Sequence, residues 1–215
     1  MHVFLAGATG AIGRRLLPRL IEAGHEVTAM TRRPEAVDAL RAQGAKPVVA
    51  DAYDREAVFA AVQGAEVVMH QLTDLSDRDL DANARLRVAG TRNLVDAALA
   101  AGVRRMVSQS IAFAYAAGEG RADEDRPLDL ERWGAVAALE AATAELPEWV
   151  VLRYGLFYGP GTWYDSAPAD ADSFVHVDDA AAAAVKALEW PSGIYNICDD
   201  ASPGADNRRA RALGW

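Results

Sequence analysis

The sequence predicts a doubly wound α/β domain, a parallel sheet covered by helices on both faces. Three observations predict it. Apolar runs of strand length alternate with amphipathic helical stretches along the chain. The first strand runs into a three-glycine turn, "GATGAIG" (7–13), and a helical pattern follows at once. The composition, 51% hydrophobic and 25% charged over 215 residues, is that of a globular chain able to bury such a core.

The elements follow in order. "HVFLA" (2–6) reads as a fully buried strand. "AIGRRLLPRLIEAG" (11–24) places Ile12, Leu16, Leu17, Leu20 and Ile21 on one face of a helix that begins near Ala11 and ends at Gly24. "HEVTAM" (25–30) is a second strand, and a helix begins near Pro34, a residue favoured in the first turn. "KPVVA" (46–50) is a third strand, and "DREAVFAAVQG" (54–64) a helix capped by Asp54 and stopped near Gly64. "AEVVMHQ" (65–71) is a fourth strand, and 77–101 holds one long helix ending at Gly102. "VRRMVSQS" (103–110) is a fifth strand, 131–145 a helix, and "EWVVLRYG" (148–155) a sixth strand. "DDAAAAAVKALE" (178–189) gives a further helix and "GIYNI" (193–197) a last strand. Right-handed crossovers through these helices make the strands parallel. No repeat or low-complexity linker divides the chain, so 1–215 reads as one domain, with about 155–215 contributing a small substrate region.

The bulk properties exclude several functions. A net charge of -9 argues against a nucleic-acid surface, which needs a basic patch, and the acidity serves solubility. The single cysteine, Cys198, has no internal partner, so nothing demands an oxidising compartment. "MHVFLAGATG" lacks the basic leader and apolar length of a signal peptide, and no stretch approaches the ~18 apolar residues of a membrane span. The expectation is a cytoplasmic protein acting on a small molecule, without membrane, nucleic acid or metal.

The glycine turn is the first functional signal. Between a strand and a helix, Gly7 permits a tight turn, Gly10 the close approach of a pyrophosphate, and Gly13 the packing of helix on strand. First-turn amides would point at the phosphates. At the end of the second strand an NAD site usually carries an acid for the ribose 2′-hydroxyl. This chain has "MTRRPE", with Arg32 and Arg33 and no carboxylate before Glu35. That favours NADP over NAD, since guanidiniums suit a 2′-phosphate; the alternative is that both arginines only open a solvated helix. Asp51 reads either as the acceptor of the adenine amino group or as a helix cap, a role for which Asp54 competes.

These motifs together resemble the extended and atypical short-chain dehydrogenase/reductase superfamily, in its NAD-dependent epimerase/dehydratase branch. The resemblance covers nearly the whole chain and rests on "GATGAIG", "AEVVMHQLTDL", "AGTRNLVDAALAAGVRRMVSQSIAFAY", "VVLRYGLFYGPG", "FVHVDDAAAAA" and "NRRARALGW". It implies that Gly7, Thr9, Gly10, Ala11, Ile12 and Gly13 form the pyrophosphate loop. Arg32 and Arg33 match the 2′-phosphate site, and Asp51 with Ala52 the adenine contact. Gln71 and Leu72 match the turn beside the nicotinamide ribose. Tyr154, Gly155 and Leu156 fall where backbone meets the carboxamide, and Ser110 matches the active-site serine that donates to the substrate oxygen. Homodimers in the family form through paired long helices, for which 77–101 and 131–145 are the candidates here.

The chain departs from the family where acid–base chemistry belongs. The family carries a tyrosine and, four residues later, a lysine that lowers its pKa toward working pH. The corresponding "LERWGAVAALEAA" (130–142) has neither: Trp133 and Ala137 have the right separation, and a shift by one gives Arg132 and Val136. The two lysines, Lys46 and Lys186, lie elsewhere. Tyr115, Tyr158 and Tyr164, on loops at the expected ligand edge, are the substitute proton-transfer candidates, with packing as the competing role. His70 reads as a satisfied core histidine, and His176 as structural, with Asp178 or Asp179 capping the next helix. Only "TWYDSAPADADSFV" (162–175) stands where the family commonly has a larger substrate lobe.

Two functions fit. One is an NADP-dependent reductase, epimerase or dehydratase acting on a small carbonyl or hydroxyl compound, with a pocket near Ser110, Tyr154 and Trp163. The other is an NADP-responsive regulatory or partner-binding protein without turnover. Ser110 and the aromatic "RYGLFYGPGTWY" (153–164) weigh for the enzyme, which is the reading adopted.

Overall fold

Strand and helix alternate as the periodicity requires. The computed structural model describes residues 1–75 and 79–215. Among these, β1 (His2–Ala6), β2 (Glu26–Thr31), β3 (Lys46–Val49), β4 (Val67–His70), β5 (Arg105–Ile111), β6 (Glu148–Tyr154) and β9 (Gly193–Ile197) form one parallel sheet in the order β3-β2-β1-β4-β5-β6-β9. The helices are α1 (Gly13–Glu22), α2 (Val37–Ala42), α3 (Arg55–Val62), α4 (Leu80–Arg85), α5 (Thr91–Ala100), α6 (Leu130–Thr143), α7 (Val177–Lys186) and α8 (Arg208–Ala212). A two-stranded parallel sheet, β7 (Leu156–Tyr158) with β8 (Phe174–His176), stands beyond the end of β6.

The central strand β1 shows why both faces must be covered. Val3 and Leu5 pack with Leu16, Leu17 and Leu20 of α1, while Phe4 and Ala6 pack with Val58 of α3 and Leu94 of α5. Each of those three leucines is fully buried and contributes roughly 1.5–3 kcal/mol. α1 packs beside α7, and Arg15 Nε meets the Asp178 carboxylate at 2.9 Å across that contact.

Four expectations need correction. α1 starts at Gly13 rather than near Ala11, because residues 11 and 12 complete the glycine turn. The stretch after Pro34 is a 3-10 turn (Pro34–Ala36) leading into α2. The helix expected over 77–101 begins at Leu80, where the Asp79 side chain accepts from Asp81 N and Ala82 N, and its first residues fall outside the described region. It also holds a π-turn, Leu86–Gly90, between α4 and α5. Finally, neither Asp178 nor Asp179 caps α7. His176 does, its Nδ1 accepting from Asp178 N at 3.3 Å, and Asp178 is thereby free to meet Arg15.

Candidate functional site

The strand order reverses between β1 and β4, and open α/β sheets hold ligands outside the carboxyl ends of their strands at such a point. A cavity of about 460 Å³ opens there. The glycine turn forms one wall. Gly7 has φ +95°, and a Cβ on it would lie 2.5 Å from the Gln71 carbonyl oxygen, so β1 and the end of β4 approach as only glycine permits. A Cβ on Gly13 would overlap the Gly7 carbonyl, which seats α1 against the turn. Ile12, at the N-terminus of α1, makes no side-chain cap, and none is found among the described residues. Ala11 and Ile12 line the cavity, so the positive end of the helix dipole faces a space suited to phosphate.

Of the residues expected at a nucleotide site, Gly7, Thr9, Gly10, Ala11, Ile12, Arg32, Arg33, Asp51, Ala52, Gln71, Leu72 and Leu156 all line this cavity. Arg32 Nη2 lies 3.2 Å from Asp74 Oδ1, and Arg33 Nη2 donates to the Thr9 carbonyl at 3.3 Å. The two acids near β3 have separate tasks. Asp54 Oδ1 accepts from Ala57 N at the start of α3, while Asp51 Oδ1 accepts from Tyr53 N and stays at the cavity. Tyr154 and Gly155 lie outside the lining. The Tyr154 ring is buried against Phe157, and Gly155 allows the Phe174 backbone to cross where a Cβ would stand 2.6 Å away.

The structure does not bring Ser110, Tyr115 and Tyr158 together at the cavity. Ser110 is buried and donates to Glu140 Oε1 at 2.6 Å. Arg153 Nε and Nη2 donate to the same carboxylate at 2.8 and 2.6 Å. Burial works against the Arg153 charge, but the hydrogen bonds to Glu140 outweigh it and push its pKa up. The Tyr115 hydroxyl donates to Asn196 Oδ1 at 2.5 Å beneath the Arg153 guanidinium, and burial pushes its pKa up to about 12. Tyr158 donates to Asp199 Oδ2 at 2.6 Å, and this bond with burial pushes its pKa up to about 12. Neither phenol is tuned as a base for neutral pH. Of the pocket expected near Ser110, Tyr154 and Trp163, only Trp163 lines the cavity.

His70 is the satisfied core histidine the sequence suggests. It is fully buried, takes the Leu72 N–H on Nδ1 at 3.3 Å, and meets Thr91 Oγ1 with Nε2 at 2.8 Å. Burial lowers its pKa to about 4, so the ring is neutral. It thereby braces the Gln71–Leu72 turn. Sequence reasoning missed Gln109, which lines the cavity. Strand alternation carries the signal: Ser108 meets Thr143 and Ser110 meets Glu140 on α6, so Gln109 between them faces the other way. Arg14, Tyr53 and Asp74 were also missed at the lining. Among the described residues no group of three or more His, Cys, Asp or Glu side chains is placed to hold a metal ion, and no helix is long and apolar enough to cross a membrane.

Comparison with known proteins agrees with this geometry. A family model described as NAD(P)H-binding matches residues 7–191. A 3-diazoavenalumate denitrifying reductase from a Streptomyces species is 45% identical over 255 residues, spanning 100% of this chain and 82% of that protein. An uncharacterized sugar epimerase of Bacillus subtilis (strain 168) is 29% identical over 192 residues, 88% of each chain. The fold matches the crystal structure of the Thermus thermophilus UDP-glucose 4-epimerase in complex with NAD at a TM-score of 0.77, with 23% identity over 99% of this chain and 82% of that one.

Proposed function

The chain belongs to the NAD(P)H-binding family within the short-chain dehydrogenase/reductase superfamily, and on that premise we propose that it is an NADPH-dependent reductase whose hydride acceptor needs no proton from the protein. The acceptor we assign is the diazonium-bearing carbon of a small organic acid. What supports this reading is that α6 carries Trp133 and Ala137 or, one position over, Arg132 and Val136, where the family resemblance implies a tyrosine and a lysine. Ser110 is engaged by Glu140, and Tyr115 and Tyr158 hold their protons to about pH 12. A carbonyl reductase must protonate an alkoxide, and Ser110, Tyr115 and Tyr158 are each engaged by another side chain away from the cavity lining. A reduced nicotinamide held by this cavity would supply the hydride for the new C–H bond, the C–N pair leaving with dinitrogen, so charge and atoms would balance without a proton. The relative named as a denitrifying reductase of a diazo acid supports this choice.

The chain's own residues bind and orient. Backbone at Gly7, Gly10 and Ile12 holds the pyrophosphate, and Arg32 and Arg33 hold the 2′-phosphate, with Arg32 released from Asp74 or shared with it. Asp51 and Ala52 meet the adenine. The whole chain acts as one domain in which about 155–215 forms the substrate side, through Leu156, Phe157 and Gly161–Tyr164 of the lining.

The test uses NADPH deuterated at the transferable C4 position and a diazonium-substituted aromatic acid. We expect product carrying one deuterium from the cofactor and none from heavy water, dinitrogen release equal to NADPH consumed, and a rate flat over about pH 6–9. Turnover of ketones but not diazonium acids would overturn the acceptor. Nucleotide binding without turnover of either would favour the regulatory alternative.

A further inference from the structure

The floor of the cavity carries two neighbouring amide side chains. β4 and β5 pair in parallel with His70 opposite Ser108, so Gln71 and Gln109 each follow by one residue, and both line the cavity. Gln71 is 4% exposed, and its Nε2 and Oε1 are both buried without a hydrogen-bond partner among the described residues. Its backbone cannot move aside to relieve this. Gln71 N donates to the Ala6 carbonyl at 2.9 Å, Leu72 N donates to His70, and Gly7 closes against the Gln71 carbonyl. A buried amide held in such a state is completed by a ligand.

We infer that Gln71 and Gln109 form an amide ledge that reads the nicotinamide carboxamide and so orients the ring, an inference that rests on the nucleotide-binding part of the reading above. Gln71 presents one donor and one acceptor side by side in a plane. A phosphate or carboxylate matches the donor and leaves Oε1 orphaned, whereas a primary carboxamide matches both. Gln109, on the neighbouring strand, lines the same cavity, as does Leu156.

The experiment is calorimetric titration of the wild-type chain, Gln71→Met and Gln71→Glu with three probes. These are NADP, its 3-acetylpyridine analogue, which lacks the amide N–H, and 2′-phospho-ADP-ribose, which lacks the ring but keeps the ribose. We expect Gln71→Met to bind NADP roughly tenfold or more weakly, while 2′-phospho-ADP-ribose changes by less than about twofold and reports that the variant is folded. The wild-type preference for NADP over the acetyl analogue should disappear in Gln71→Met and persist in Gln71→Glu, whose carboxylate still accepts the amide N–H but no longer donates to the carbonyl, and Gln109→Met should show a smaller loss of the same kind as Gln71→Met. Equal losses for NADP and the fragment would move the contact to the ribose and overturn the inference, as would no loss at all. A wild-type chain that binds none of the probes would instead sink the nucleotide reading itself.

Discussion

The Gln71 amide at the cavity and the polar groups beneath α6 are both out of water, yet they differ in what they touch. Beneath α6, Ser110, Glu140 and Arg153 satisfy one another, and Ser108 and Thr143 do the same one turn away. At the cavity, the Gln71 amide has no partner among the described residues, while the exposed Arg32 and Arg33 meet Asp74 at 3.2 Å and the Thr9 carbonyl at 3.3 Å. The difference teaches that burial does not mark a working group. A saturated network has no bond left to offer, whereas a buried donor or acceptor left unsatisfied at a cavity wall is a place for a ligand. Ser110, through its bond to Glu140, belongs to the saturated network.

The largest effect should come from breaking the saturated region. Glu140→Leu leaves Arg153 buried and unpaired, and should cost about 3–5 kcal/mol of stability by urea unfolding. Adding Arg153→Met should recover much of that loss, which would show that the pair serves folding rather than turnover. Next comes His70, whose neutral ring has a folded pKa of about 4 against an ordinary 6.5. The unfolded chain binds the extra proton between those values, so the stability contribution is full above pH 6.5 and is lost as pH falls toward 4. The loss should reach about 3 kcal/mol, and His70→Gln should flatten the unfolding free energy over that window relative to wild type.

Cavity-side changes should leave stability alone and move affinity. Replacing Arg32 and Arg33 together with alanine should weaken NADPH by roughly 10–100-fold and NADH by less than about threefold, as read by titration. Equal losses would remove the 2′-phosphate assignment. The smallest effect is expected at Ser110. Ser110→Ala should cost about 1–2 kcal/mol of stability, because Glu140 loses a donor. It should change kcat by less than about threefold, and a loss of several hundredfold would restore Ser110 to the chemistry.

How far the sequence could be read follows from the same contrast. The glycine turn was legible because its spacing is tied to backbone geometry: Gly7 and Gly13 sit where a Cβ would collide. The seven main strands were legible because parallel strands buried on both faces read as apolar runs. β7 and β8 were not, since at three residues each they are shorter than any of those runs, and the five residues of α8 are too few to show a helical period. The direction of Ser110 was hidden because a motif gives a position and not a partner, and Glu140 stands 30 residues away. The cap of α7 was misassigned to the aspartates because His176 lies outside the usual set of capping residues.

The π-turn at Leu86–Gly90 makes the long helix a frame-shifted one. One residue more than an α-turn holds lets the segments on either side keep separate rotational settings. Asn93, on the far side, holds the Ala52 carbonyl at 2.9 Å, while Asn83, on the near side, takes the Asp74 N–H at 3.0 Å. Ala52 and Asp74 both line the cavity. Deleting half-exposed Val88 would restore a plain α-helix and turn Asn83 by about 100° relative to Asn93. Only one of the two cavity walls would then keep its anchor, so a single inserted residue acts as the spacer by which one helix serves both.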